Sequence, residues 1–193
     1  FVRDGGGYVG ICGGAFLATA KYDWSLALVN AKTVTGQRNI PGLGMRSMAF
    51  RGRGNVKIEL TEAGRRVLGD FPGPLDLPYT GGPVLSPAGR RDLPEYVPLA
   101  LYRTEIWEYK AQRGTMIHTP AIVAARFGKG RVMLFSPHPE MTEDLDSFIP
   151  RAVLSTARSP VDATETPEAM GPAACPDNPQ GRALLGSPAL GLR

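Results

Sequence analysis

Tyr8-Val9-Gly10-Ile11-Cys12-Gly13-Gly14-Ala15-Phe16-Leu17-Ala18-Thr19-Ala20 decides the fold of this chain. A short apolar run ends in a Gly-x-Cys-x-Gly pentad and opens into a helix-forming segment. That order of strand, sharp turn and helix is the setting of a nucleophile elbow. The turn demands glycines, because the nucleophile occupies a strained backbone conformation and a side chain two residues away would collide with strand or helix. Gly10 and Gly14 are expected to supply that clearance. Gly13, just after Cys12, can offer its N–H as an oxyanion donor. At the start of a helix, unpaired N–H groups and the dipole favour a thiolate on Cys12.

The partner groups lie far along the chain, in Ser136-Pro137-His138-Pro139-Glu140. His138 can exchange the thiol proton. Glu140, two residues on along an extended link, projects to the same side and fixes the imidazole tautomer, with Pro139 stiffening the link. Each residue also has a plainer reading. Cys12 could be a small core hydrophobe, His138 a capped strand end and Glu140 an acid at a helix start. The glycine-flanked elbow together with the distant His-Pro-Glu favours the chemical reading for all three.

The remaining chain reads as one domain over residues 1–155 and a Pro/Ala/Gly-rich, disordered tail over 156–193 that contains Cys175. Val56, Ile58 and Leu60 alternate with Lys57 and Glu59 as in a half-buried strand. Thr61 to Leu68 reads as a short turn or helix. Leu99–Tyr102, Ala121–Phe127 and Arg131–Phe135 are further strands, the last two joined by Gly128-Lys129-Gly130 as a hairpin. Leu145, Phe148, Ile149, Ala152 and Val153 recur at helical spacing, with a kink or break expected at Pro150. Gln37–Gly54 and Phe71–Pro98 read as loops. The second is long enough to carry specificity.

Composition excludes several functions. The longest apolar runs, such as Ala121-Ile122-Val123-Ala124-Ala125, fall far short of the roughly 20 residues that cross a bilayer. The chain has 193 residues and a net charge of +4, and Arg38, Arg46, Arg51, Arg53, Lys57, Arg65 and Arg66 cluster in it. That segment shows no nucleic-acid motif and reads as a solvated basic face. Gly5 to Gly10 satisfies G-x-G-x-x-G, but these glycines precede a strand instead of following one. His118 has no acid at a useful spacing and reads as a loop residue. Two histidines and one well-placed cysteine make no structural zinc set. No cofactor or metal, no nucleic acid and no membrane is therefore expected.

At these residues the chain resembles the class I glutamine amidotransferase-like superfamily. The stretch GGGYVGICGGAFLA, the mid-chain Tyr79-Thr80-Gly81-Gly82-Pro83 and the closing FGKGRVMLFSPHPE look, more narrowly, like the biotin-protein ligase N-terminal domain, from about Gly5 to about Arg151. The resemblance implies an α/β fold, a three-layer open sheet of the class I glutamine amidotransferase (flavodoxin-like) type. Only eleven residues precede Cys12, so the first strands of that fold and its second oxyanion donor are expected to be missing. The resemblance also implies a catalytic Cys12-His138-Glu140 triad with Gly10, Gly13 and Gly14 at the elbow. It further implies a substrate contact at Tyr79, Gly81 and Gly82, a small-molecule amide as substrate, and a synthetase or ligase as partner. Two functions stay open. One is a cysteine-dependent amidohydrolase working through an acyl-thioester. The other is a binding or regulatory module that keeps the shape of the triad without turnover. A cysteine in this role suits a reducing compartment, the cytoplasm.

Overall fold

The computed structural model describes residues 1–157. The expected tail, with Cys175, lies outside the described residues except for Thr156 and Ala157, which complete the last helix.

The core is a six-stranded sheet in the order β1 (Gly7–Ile11), β10 (Gly130–Phe135), β9 (Pro120–Phe127), β8 (Tyr96–Tyr102), β5 (Gly54–Leu60) and β6 (Leu75–Tyr79). Only β1 and β10 run parallel; every other neighbouring pair is antiparallel. Two small hairpin sheets stand apart, β2 (Ala31–Thr33) with β7 (Leu85–Pro87) and β3 (Gln37–Ile40) with β4 (Gly44–Ser47).

Strand alternation sorts the side chains into two buried layers. On one face Val132, Leu134 and Val123 meet Ala15 and Ala18 of the α1 region (α1, Gly13–Leu17). On the other, Met133, Phe135 and Ile122 meet Leu68 of α2 (Glu62–Leu68) and Phe148 and Ala152 of α3 (Phe148–Ala157). Helices therefore cover both faces of an open α/β sheet.

The sheet curls so that the segment just past β10 reaches its far edge strand, β6. The Cys12 N–H, just past β1, donates to Phe135 O at 2.8 Å, and the His138 N–H, just past β10, donates to Pro78 O of β6 at 2.9 Å. An added Cβ on Gly82 would overlap the Ser136 carbonyl, so the turn after β6 lies directly on the end of β10.

Several expectations from sequence need correction. The Gln37–Gly54 segment is not a loop throughout, because Gly42 and Gly44, at φ 77° and 74°, turn it into the β3–β4 hairpin. Both faces of that hairpin are largely exposed, so it has no alternation to betray it. The Phe71–Pro98 segment likewise contains β6, β7 and the start of β8. Pro150 does not kink α3; it sits in the first turn, where a missing N–H costs no intrahelical bond. Val153 points to solvent. Arg51 does not belong to the solvated basic face either, being 1% exposed.

Helix α2 depends on two local devices. The Thr61 hydroxyl caps it by accepting from the Gly64 N–H at 3.0 Å and donates to Pro98 O at 2.8 Å. Gly64 itself lets the helix touch β8, since an added Cβ would overlap the Leu99 carbonyl.

Beneath the junction of the end of β10 with the turn after β6 lie Tyr79 and Tyr102, both fully buried and edge to face with centroids 6.2 Å apart. Tyr102 donates to Ser136 Oγ at 2.6 Å and Tyr79 to Gly82 O at 2.7 Å. Burial raises both phenols, Tyr79 to about 12 against the ordinary 10.0.

Two predictions follow from this packing. Gly64→Ala is expected to lose about 3 kcal/mol of stability by overpacking, whereas Gly13→Ala, whose Cβ would meet open space, stays within about 1 kcal/mol of the parent. Urea unfolding of the two variants checks both values. The second concerns alkali. Tyr79 is neutral in the folded state up to about 12 but ionises at 10.0 when unfolded, so the unfolded chain binds fewer protons in that window. Stability is therefore complete below pH 10.0 and falls as pH rises toward about 12, by about 2–3 kcal/mol. Unfolding midpoints in mild and strong alkali, with Tyr79→Phe as comparison, measure that slope.

Candidate active site

Cys12 caps the N-terminus of α1 at φ 49° and ψ −103°, outside the regions that a side chain occupies at rest. Its neighbours show how the strain is held. An added Cβ on Gly10 would lie 2.7 Å from the Gly14 backbone and 2.8 Å from the Tyr8 ring, and Tyr8 donates to Gly14 O at 2.8 Å. Strand and helix are thus pressed together across the turn. Gly14 is not required for this clearance, because a Cβ there would make only an ordinary 3.8 Å contact. Helix α1 is five residues long, so the elbow backbone and not an extended dipole defines the place of the thiol.

His138 and Glu140 meet as the sequence predicts, but by a different route. Pro139–Met141 forms a single 3-10 turn with His138 as its cap, in place of an extended link. The turn brings Glu140 Oε1 within 2.6 Å of His138 Nδ1. An ionised carboxylate can only accept, so Nδ1 carries the proton, and in the neutral imidazole Nε2 is left as an acceptor.

That acceptor faces Thr80, not Cys12. Thr80 Oγ1 lies 2.6 Å from His138 Nε2 and 3.9 Å from Cys12 Sγ. The four groups form a series, thiol, hydroxyl, imidazole and carboxylate, supplied by the turns after β1, β6 and β10. Thr80 is the functional residue that sequence reasoning missed. It sits inside the quoted Tyr79–Pro83 motif, and a hydroxyl between a strand end and a Gly-Gly turn was the available signal.

The other residues of that motif divide by burial. Gly81 and Pro83 line the cleft beside Cys12, whereas Tyr79 is fully buried and Gly82 is pinned beneath the turn by Ser136. Tyr79 and Gly82 support the Thr80 turn from behind and are not part of the cleft wall. A cleft of about 260 Å3 opens beside Cys12, lined by Gly13, Phe16, Phe50, Gly81 and Pro83 among others.

A buried cation lies behind the site. The Arg51 guanidinium donates to Gln112 O at 3.1 Å and to Thr115 Oγ1 at 2.6 Å. Burial pushes it below its ordinary value, while the nearby Tyr79, Glu105 and Tyr102 oppose that shift. Charge on Cys12 in turn helps to raise both tyrosines. His118 stands away from this centre in a loop, its Nδ1 3.0 Å from Arg103 Nη1. No helix among the described residues is long and apolar enough to cross a membrane.

With this geometry in view, comparison with known proteins places the chain. Among solved structures it is similar to a cytoplasmic protein of Salmonella typhimurium LT2, at 15% identity over 81% of this chain and 58% of that one, with a TM-score of 0.47. A second cytoplasmic protein of Salmonella typhimurium matches at 13% identity over 82% and 58% of the two chains, with a TM-score of 0.45. A beta-galactosidase from Bacillus circulans sp. alkalophilus matches at 15% identity over 81% of this chain and 19% of its own, with a TM-score of 0.43. The chain thus spans little more than half the length of the Salmonella proteins. No curated protein sequence matches it. The family described as biotin-protein ligase, N terminal, matches residues 1–166, the elbow, the Thr80 turn and the His-Pro-Glu segment included, and the chain belongs to that family.

Proposed function

We propose that this domain is a cysteine-dependent amidohydrolase of the glutamine amidotransferase-like kind. The observation that carries the reading is the unbroken series from Cys12 through Thr80 and His138 to Glu140, mounted on a strained elbow. With Nδ1 held by Glu140, Nε2 takes a proton from the Thr80 hydroxyl as that hydroxyl takes one from the Cys12 thiol. The thiolate then attacks the amide carbonyl, forming a C–S bond, while the Gly13 N–H lies one residue on to meet the developing oxyanion. When the C–N bond breaks, the imidazolium returns its proton to the leaving amine. Water, deprotonated by the same imidazole, cleaves the thioester to a carboxylate and restores the thiol. A reducing, cytoplasmic compartment keeps such a thiol competent, and a synthetase or ligase is the partner that this family suggests for the released amine.

One observation favours the second reading, a binding or regulatory module. Thr80 fills the space between sulfur and imidazole, so the pair meets only through its hydroxyl. The readings separate on the alkylation rate of Cys12 at neutral pH in a Cys175→Ser background. For the enzyme, His138→Ala slows alkylation by about tenfold or more, and Thr80→Val, which keeps the shape but not the hydroxyl, slows it comparably. For a module that only keeps the shape, neither substitution changes the rate.

A further inference from the structure

We infer that the acyl group handled at Cys12 is small, uncharged and apolar, with an aromatic or branched side, and is not the glutamine side chain. The inference rests on the acyl-transfer reading above and adds the substrate class. The cleft beside the thiol, at about 260 Å3, lies just below the ~300–1,000 Å3 of pockets for drug-sized ligands. It is the size of an acyl group and not of a large cofactor. Its walls are Phe16, Phe50 and Pro83, with Thr33, Ala49, Gly13 and Gly81 completing the lining.

None of the described residues lining it carries a charge. Glutamine would bring an α-ammonium and an α-carboxylate to a cleft whose described lining offers no counter-charge to recognise either.

Both aromatic walls are braced, as a selective pocket requires. Phe16 is held by Tyr22 and Trp24, with ring centroids at 5.8 and 5.6 Å, and those two rings stack on each other at 5.0 Å. Phe50 lies against Gly81, where an added Cβ would come within 2.9 Å of the ring. Phe50 and Trp24 are nevertheless 46% and 60% exposed. An apolar acyl group entering the cleft would cover the Phe50 face, and whatever it is attached to would run out past Trp24. In the reaction the C–N bond of the apolar amide breaks, the C–S bond to Cys12 forms, the amine leaves with the proton from His138, and water then releases the apolar acid.

Chloromethyl ketones test the acyl side directly, because the thiolate displaces chloride while the ketone substituent occupies the cleft. Three are compared on the full chain carrying Cys175→Ser, each rate divided by that with free cysteine. They are chloroacetone, the chloromethyl ketone of phenylpropanoic acid, and the chloromethyl ketone bearing the α-amino and α-carboxylate groups of glutamine. The phenyl probe is expected to label Cys12 at least about tenfold faster than chloroacetone, with the zwitterionic probe no faster than chloroacetone. Phe50→Ser is expected to erase most of the phenyl advantage. Equal rates for the three probes, or a zwitterionic probe that labels fastest, would overturn the inference. Failure of the acyl-transfer reading looks different: the phenyl advantage persists, but His138→Ala leaves every rate unchanged.

Discussion

Everything in this site depends on the curl of one open sheet, which carries the chain past β10 across to the far edge strand. Strands β1 and β6 are the outermost strands, yet the end of β10 and the residues just past it touch both. Phe135 receives the Cys12 N–H on one side, and His138 gives its N–H to Pro78 on the other. Gly82 lies on the Ser136 carbonyl so closely that no side chain fits between them. A flat sheet would hold the thiol and the Thr80 hydroxyl at opposite edges. The curl brings them within 3.9 Å of each other, with the Thr80 hydroxyl between thiol and imidazole.

Two buried phenols hold this junction from below. The Tyr102 hydroxyl holds Ser136 and the Tyr79 hydroxyl holds Gly82, so each backbone strand at the junction is tied from below by a buried phenol. A buried hydroxyl deprived of its partner costs about 1–3 kcal/mol, which makes the pair of tyrosines a structural commitment. Beside them the Arg51 guanidinium is a buried positive charge, and burial keeps both phenols protonated well past neutral pH. The proposed chemistry thus rests on the four groups from Cys12 to Glu140, with the phenols serving geometry.

Much of this was legible in the sequence, for physical reasons that can be named. The elbow was readable because Gly-x-Cys-x-Gly between an apolar run and a helix former has few other uses, β5 because its one-residue alternation marks one buried and one exposed face, and β9 and β10 because apolar runs buried on both faces flank a Gly-Lys-Gly turn. The β3–β4 hairpin was not, since neither of its faces is buried enough to impose a pattern. Arg51 looked like its solvated neighbours because a sequence records charge and not depth. Thr80 was hidden for a further reason. Its role exists only once β1 and β6 converge, a contact 68 residues apart that no local period encodes. The opposite case is Gly14, which looked indispensable by spacing and is spared because the helix turns its Cβ position toward the Tyr8 hydroxyl at an ordinary distance.

The central claim is that Cys12 is a working acyl acceptor. Intact-mass measurement of the chain, taken at intervals after mixing with an activated ester of phenylpropanoic acid, tests it most directly. A single acyl group that forms on Cys12, is absent in Cys12→Ser and disappears as water releases the acid is the expected result. A chain whose mass never changes, beside ester that hydrolyses no faster than in buffer, would contradict it.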